Sequence, residues 1–123
     1  MTRSSGILLP VSALPGPCGI GDLGTAAREF IDFLAAAGQR YWQILPLNPP
    51  DSAHSPYLSA STFAGSTDLL SPEPLVKRGA LTAAEVCAVN WGSDPMRVDY
   101  ECVRAGKTAI WAAAFAREQA AVT

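Results

Sequence analysis

Glycine and proline divide this chain into two halves of different character. The sequence contains ten prolines and ten glycines in 123 residues, and most of them lie before residue 75. Both residue types interrupt regular elements and mark turns, so the first half is predicted to be rich in loops and the second half more helical. Since domains most often have about 100–150 residues, one domain is expected.

Composition excludes several classes of protein. Apolar residues make up 49% of the chain, which is enough for a core and argues against wholesale disorder. The net charge is −2 and no block of like charge stands out, so neither a nucleic acid nor a membrane surface is an expected partner. The apolar run at Ile7–Leu9 ends at Pro10, and neither a membrane span nor a signal peptide is predicted.

The three cysteines, Cys18, Cys87 and Cys102, are odd in number and widely spaced. Neither a disulfide framework nor a zinc site fits this spacing. They are interpreted as reduced thiols of a cytoplasmic protein. No metal ion and no cofactor is expected.

The first half contains one clear helix and two candidate strands. Apolar residues recur at helical spacing over 25–37, with Thr25 as the predicted N-cap and Gly38 just past the C-terminus. Ser5–Val11 is a short apolar run that could be a strand entering a core. Tyr41–Leu47 is a continuous apolar run, which predicts a strand buried on both faces in a parallel sheet.

The rest of the chain is predicted to be a long loop followed by helices. Residues 48–75 are rich in Pro, Ser and Thr and lack periodicity, and a loop of this length is usually functional or disordered. Thr82 and Glu85 form a predicted capping box, flanked by a hydrophobic staple of Leu81 and Val86. The helical segment covers about 82–121, with a short helix over 83–89 and a longer one from about 99.

A glycine motif, Gly19–Ile20–Gly21–Asp22–Leu23–Gly24, matches the GxGxxG pattern of dinucleotide-phosphate loops. That interpretation needs a preceding strand, and the residues before Gly19 include Pro15 and Pro17. It also needs an acidic residue about 20 positions further on, where this chain has an apolar run. A turn leading into a helix is therefore the favoured interpretation.

A set of short motifs occurs in a specific order along the chain. They are Ser5–Pro10, Gly21–Gly24, Asp32–Leu34, Gly38–Gln39, Trp42–Gln43, Leu45–Leu47, Ser55–Tyr57, Phe63–Gly65 and Val98–Tyr100. Together these motifs closely resemble the N-terminal region of 4-α-glucanotransferases, also called amylomaltases or disproportionating enzymes. The resemblance covers nearly the whole chain.

The resemblance implies a fold and a reaction. The fold is the N-terminal portion of a (β/α)8 barrel of the α-amylase clan, incomplete here because such a barrel needs about 250 residues. The reaction is transfer of a 1,4-α-glucan segment to the 4-hydroxyl of an acceptor glucose or glucan, through a covalent glycosyl-enzyme. Retaining enzymes of this kind use two carboxyl groups about 5 Å apart.

No catalytic residue is assigned in this chain. The family's catalytic acids lie on later strands, and no acidic residue here stands in a matching motif. Four loop aspartates, Asp51, Asp68, Asp94 and Asp99, are expected to cap helices or to face water.

The resemblance implies that this segment supplies part of the wall of a glucan site. Tyr41–Leu47 would be the first barrel strand, and the loop after it would lie over the pocket. Tyr57 is the candidate substrate-binding residue, because a tyrosine ring offers an apolar face and a hydroxyl to a sugar. Ser55 and Pro56 complete the candidate site. A purely structural tyrosine in a turn is the alternative.

Histidine and tryptophan residues are weaker candidates. His54 is the only histidine, stands where the family more often has an acidic residue, and is expected to be a solvated side chain. Trp42 and Trp111 are predicted core residues, while the role of Trp91 is left open. The segments 50–53 and 66–68 depart from the family pattern, which puts secondary glucan contacts in doubt.

Three interpretations of the isolated chain follow. In the first, residues 1–123 are an inactive N-terminal segment whose single strand lacks a neighbour, so the chain is marginally stable. In the second, the chain is a small carbohydrate-binding module for maltooligosaccharides. In the third, it complements a partner that carries the remainder of the barrel.

Overall fold

The computed structural model describes residues 3–122, so residues 1, 2 and 123 of the predicted 1–123 domain lie outside the described part. The elements are named here in chain order. They are β1 (Gly6–Leu8), α1 (Thr25–Ala36), β2 (Tyr41–Gln43), α2 (Glu73–Lys77), α3 (Ala83–Cys87) and α4 (Tyr100–Val122), with 3-10 turns at Val11–Ala13 and Thr67–Leu69.

Strands β1 and β2 form a parallel pair connected through α1. Ile7 lies opposite Trp42, and one backbone hydrogen bond at each end extends the pairing beyond the strands. The prediction of a strand without a neighbour is therefore wrong. The strand at Tyr41 is the second in the sheet, not the first, and it ends at Gln43 rather than Leu47.

The faces of this sheet are largely open. Leu8 is 58% exposed and Tyr41 is 65% exposed, so the prediction of a strand buried on both faces is wrong in this chain. Trp42 is the exception. It is half-buried, it makes an edge-to-face contact with Phe30 of α1 at 5.1 Å between ring centroids, and its Nε1 donates to Leu9 O at 2.8 Å.

Helix α1 has the predicted extent within one residue, but its N-cap differs. Gly24, not Thr25, is the N-cap residue, and its N–H donates to the Asp22 Oδ1 atom at 2.9 Å. A glycine cap has no side chain to accept a hydrogen bond from the first turn. At the other end Gly38 has φ 72, which is the left-handed conformation that glycine adopts readily after a helix and confirms the predicted C-terminus.

The main apolar core lies among the helices. Its buried centre consists of Ala80, Leu81, Ile110 and Ala114. Trp91 and Trp111 pack against this centre, so the open question about Trp91 is answered by a core role. The capping box of Thr82 and Glu85 is present, and Val86 packs against the core as the staple requires.

The glycine-rich segment before α1 packs against the protein itself. A Cβ atom on Gly21 would lie 2.2 Å from Val11 O, and one on Gly19 would lie 2.3 Å from Trp91 O. The element directly before these glycines is the 3-10 turn at Val11–Ala13, whereas the strand β1 ends earlier, at Leu8. The glycines therefore permit close backbone approach within the chain, which supports the turn interpretation.

A buried lysine joins α4 to the segment before α1. The side chain of Lys107 is 1% exposed and its Nζ lies 3.5 Å from Asp22 Oδ2. The same Nζ donates to Leu70 O and lies 5.5 Å from the centre of the Trp111 ring. Three separate parts of the sequence thus meet at one ammonium group.

Candidate functional site

The loop after β2 is closed at its base by Asn48. The Nδ2 atom of Asn48 lies within hydrogen-bond distance of three carbonyl oxygens, those of Ser61 (3.1 Å), Thr62 (2.8 Å) and Ala64 (3.0 Å). The N–H of Ser66 donates to Leu47 O at 2.7 Å. Residues 48–66 of the predicted 48–75 loop therefore form an ordered loop whose two ends are joined by hydrogen bonds. The last part of the predicted loop contains the 3-10 turn and most of α2.

Asp51 stabilises the turn at the tip of this loop. Its Oδ1 accepts hydrogen bonds from the N–H groups of Ala53 at 3.1 Å and Ser55 at 3.0 Å, while its carbonyl accepts from His54 N at 3.0 Å. An aspartate that bonds to the backbone a few residues later stabilises a tight turn. The turn leads directly into the Ser55–Pro56–Tyr57 motif.

The three candidate site residues have different positions. Tyr57 is 70% exposed, whereas Ser55 and Pro56 are half-buried. Pro56 lies in the wall of a cleft beneath the loop, and Ser55 and Tyr57 do not. The structure thus presents the tyrosine on the outer surface of the loop, with its ring available to a ligand.

The cleft beneath the loop has a volume of about 240 Å³ and a mostly apolar wall. The wall combines the segment after β1, the segment after β2, the loop and the first residue of α4. The lining residues are Pro10, Val11, Ser12, Ile20, Leu45, Pro46, Leu47, Asn48, Pro50, His54, Pro56, Ser66, Asp68, Leu69 and Tyr100.

His54 is not the solvated side chain that the sequence predicted. Its ring stacks on the ring of Tyr100, with 4.1 Å between centroids and 9° between planes. Its Nδ1 is buried and has no hydrogen-bond partner among the described residues. Its φ of 59° is the only positive value of a non-glycine residue in the described chain. No local sequence signal identifies Tyr100 as the partner, because the two residues are far apart in sequence.

Asp68 also differs from its expectation. It is 7% exposed and lies in the cleft wall, whereas a water-facing or capping carboxylate was predicted. Of the other three loop aspartates, Asp99 caps a helix and Asp94 is exposed, as predicted, whereas Asp51 is half-buried and stabilises a turn. Asp99 accepts from Cys102 N at 3.0 Å in the first turn of α4, and this hydrogen bond holds the pKa of Asp99 below its usual value. Asp94 accepts from Met96 N at 2.8 Å.

Two glutamates, Glu73 and Glu85, stabilise contacts between helices. Glu73 accepts from Thr25, and that side-chain hydrogen bond lowers the pKa of the carboxyl group. Glu85 pairs with Arg117, and this contact lowers the pKa of Glu85 to about 2. Across residues 3–122, no group of three or more His, Cys, Asp and Glu side chains could hold a metal ion. Nor does any helix there combine the length and apolarity that a bilayer span requires.

Comparison with known proteins identifies relatives along nearly all of the chain. The profile of the family described as 4-alpha-glucanotransferase matches residues 9–123. The 4-alpha-glucanotransferase of Streptococcus pneumoniae is 48% identical over 98 residues, which is 80% of this chain and 19% of that protein. The enzyme of the same name from Thermus thermophilus is 44% identical over 107 residues, or 87% of this chain and 20% of that protein.

A solved structure matches the fold. It is an amylomaltase from Streptococcus agalactiae in complex with acarbose, with a TM-score of 0.88 and 36% identity over 93% of this chain and 23% of that one. The match confirms the predicted fold class, the N-terminal portion of a (β/α)8 barrel of the α-amylase clan. The chain spans about a fifth of the length of the curated relatives it matches.

Proposed function

The chain belongs to the 4-alpha-glucanotransferase family, and on that premise we propose that it forms part of the substrate-binding wall of a glucan-transferring enzyme. The whole enzyme would move a segment of a 1,4-α-glucan to the 4-position of an acceptor glucose or glucan. Its place in metabolism would be the handling of glycogen and maltodextrins. The free thiols of Cys18, Cys87 and Cys102 support a reducing, cytoplasmic location.

The reaction proposed for the whole enzyme retains configuration at the transferred sugar. One carboxylate attacks the sugar to give a covalent glycosyl-enzyme, and a second carboxyl group protonates the leaving oxygen and then activates the acceptor hydroxyl. We assign neither role to this chain. Glu73, Glu85 and Asp99 are engaged in hydrogen bonds that stabilise helices, which is the arrangement of structural carboxylates.

The observation that carries the proposal is the position of Tyr57. In barrels of this class, the loops at the carboxyl ends of the strands form the active site. Tyr57 lies on the loop that follows β2, is 70% exposed, and is supported by the Asn48 clamp and the Asp51 turn. An exposed aromatic ring on a supported loop can stack on the CH face of a glucose unit, while its hydroxyl bonds to the sugar.

Titration of the chain with maltooligosaccharides, monitored by NMR of the backbone amides, tests this role. Tyr57→Ala is expected to weaken binding by about tenfold or more, the scale of one well-placed aromatic contact. Tyr41→Ala is the matched control, because Tyr41 is similarly exposed at 65% but lies on β2 rather than on the loop. Equal affinities of the two variants, or selective loss with Tyr41→Ala, would contradict the proposed site.

A second proposal concerns the partner of the sheet. Each strand has one neighbour among the described residues, so each has an unpaired edge. The large exposure of Leu8 and Tyr41 leaves apolar surface next to those edges. Such edges pair readily with further strands. We propose that a polypeptide carrying the remainder of the barrel covers this sheet, either as more of the same chain or as a separate piece.

Mixing provides the test of this second proposal. The 123-residue chain alone is expected to show no disproportionation of maltotriose, and addition of a polypeptide with the remaining strands is expected to restore it. A Leu8→Asp variant, which places a charge on the open sheet face, should impair restoration. Activity of the pure chain alone, or restoration unaffected by Leu8→Asp, would contradict this view.

A further inference from the structure

We propose that His54 is a positioning residue: its imidazole, stacked on Tyr100, fixes the Ser55–Tyr57 segment over the cleft. The assignment of that segment to glucan binding rests on the proposed function. The mechanical part of the inference, that the stack orders the loop, rests on contacts of the described residues alone.

The stack is the anchor of the middle of the loop. The loop covers residues 48–66. Of the hydrogen bonds, ion pairs and ring contacts found within 3–122, only this stack joins a residue of 49–60 to a residue outside the loop. The Asn48 clamp closes the base of the loop, and the Asp51 turn is internal to it. Without the ring contact, the tip would be held only by its own turn and by apolar contacts in the cleft wall.

The backbone at His54 supports a role for the side chain. A non-glycine residue with φ 59 occupies a sparsely populated region, in which histidine, asparagine and aspartate are the enriched types after glycine. His54 adopts this conformation as part of the Asp51 turn, with its N–H donating to Asp51 O. The conformation directs the imidazole towards α4, and the ring contact offsets the unfavourable backbone geometry.

The position of the ring is transmitted to Tyr57 through a short and stiff connection. Only Ser55 and Pro56 separate the two residues, and the proline ring restricts its own φ. Ser55 is held by its N–H bond to Asp51, and the Leu58 N–H donates to Ser55 O at 3.3 Å. Rotation of His54 away from Tyr100 would therefore move the Tyr57 ring rather than be absorbed between them.

Fluorine NMR of the chain labelled with 3-fluorotyrosine gives a direct readout without any sugar. The chain contains three tyrosines, Tyr41, Tyr57 and Tyr100, so each resonance can be assigned by a Tyr→Phe variant. His54→Gly removes the ring but suits the positive φ. It is expected to shift the Tyr100 resonance and to narrow that of Tyr57, while Tyr41 stays unchanged.

Two further variants distinguish loss of the ring contact from loss of the folded structure. His54→Phe keeps a flat ring and is expected to restore the Tyr57 resonance of the parent chain. Tyr100→Leu, which removes the stacking partner, should reproduce the effect of His54→Gly on Tyr57. An unchanged Tyr57 resonance in folded His54→Gly, or failure of His54→Phe to restore it, would overturn the inference. An unchanged Tyr41 resonance serves as the check that each variant is folded.

Glucan titration then connects positioning with function. If the parent chain binds maltooligosaccharides, His54→Gly is expected to lower the affinity by about tenfold and His54→Phe to restore it, since a disordered loop must be ordered on binding. Full affinity in His54→Gly would overturn the inference. If the parent chain binds no glucan, the proposed function fails, while the fluorine spectra still decide whether the stack orders the loop.

Discussion

The carboxylate of Glu73 caps the first turn of α1 through Thr25, which lies 48 residues earlier in the sequence. Glu73 Oε2 accepts from the Thr25 N–H at 3.1 Å and from Thr25 Oγ1 at 2.7 Å, and Arg28 Nη2 donates to it at 3.1 Å. The N-cap residue Gly24 has no side chain for this purpose. Glu73 of α2 therefore supplies the hydrogen-bond acceptor that the side chain of an N-cap residue normally supplies.

Replacement of Glu73 by alanine should destabilise the chain. Loss of a cap costs about 1 kcal/mol, and urea unfolding followed by circular dichroism measures it. The hydrogen bond from the Thr25 side chain is the largest cause of the lowered pKa of Glu73. The stabilisation that the Glu73 carboxylate provides is therefore complete above the pKa that Glu73 has in the unfolded chain. It is lost as the pH falls through the pKa of Glu73 in the folded chain.

Glu29→Gln is the matched control for the Glu73 prediction, because Glu29 is an exposed glutamate of α1 outside this cap. Its unfolding midpoint is expected to remain near that of the parent. Equal midpoints of Glu73→Ala and the parent would show that the cap contributes nothing.

Glu85 should make the stability of the α3–α4 contact depend on pH in the acid range. Hydrogen bonds from Arg117 and Thr82 lower the pKa of this carboxyl group from 4.5 to about 2. A depressed folded pKa means stabilisation that is full above the unfolded value and is lost as the pH falls towards 2. In Glu85→Gln, the dependence of the unfolding midpoint on pH over this range should be weaker. Asp32→Asn, an exposed change on α1, should leave that dependence as in the parent.

Replacement of Lys107 and replacement of Asp22 should have strongly non-additive effects on the free energy of unfolding. Lys107→Met leaves Asp22 Oδ2 buried without its cation, and removal of one partner of a buried pair costs about 3–5 kcal/mol. Asp22→Asn alone should also destabilise the chain. The double variant should lose clearly less than the sum of the two single losses, as measured by urea unfolding. Additive losses would refute a direct interaction. Lys77→Met, a change at an exposed residue of α2, serves as the control.

The three thiols should react in an order set by burial. Cys87 is exposed, Cys102 is partly buried, and Cys18 is fully buried, which raises the pKa of the Cys18 thiol. Since the thiolate is the reactive form, a disulfide reagent added to the folded chain should modify Cys87 first and Cys18 only on unfolding. Mass spectrometry of digested samples, with and without urea, measures the order. Rapid modification of Cys18 under native conditions would contradict the described packing.

Local sequence patterns predicted α1, α3 and α4, but not α2, whose first three residues lie in the predicted 48–75 loop. Helix α1 follows from the spacing of its apolar residues and from Gly38, and the short helix α3 follows from the Thr82–Glu85 capping box. These signals are reliable because the interacting groups lie within one or two turns of each other. The ordered motifs likewise predicted the family and the fold class that the comparisons confirmed.

Strand burial was predicted less well, because it depends on what covers a strand. The apolar run from Tyr41 is typical of a fully covered barrel strand, yet in this chain Tyr41 is 65% exposed. Only other segments of a complete barrel could cover this run on both faces. Its pairing with β1 also depends on a contact between residues far apart in sequence.

The sequence by itself determined the helices α1, α3 and α4, the family, and Tyr57 as the candidate residue for sugar contact. Only the tertiary structure decided which distant groups meet: Glu73 with Thr25, Lys107 with Asp22, and His54 with Tyr100. The physical reason is the separation along the sequence over which each interaction acts. Capping and helical periodicity act between neighbours in the chain, whereas ion pairs, ring stacking and remote caps form only after folding has brought separate segments together.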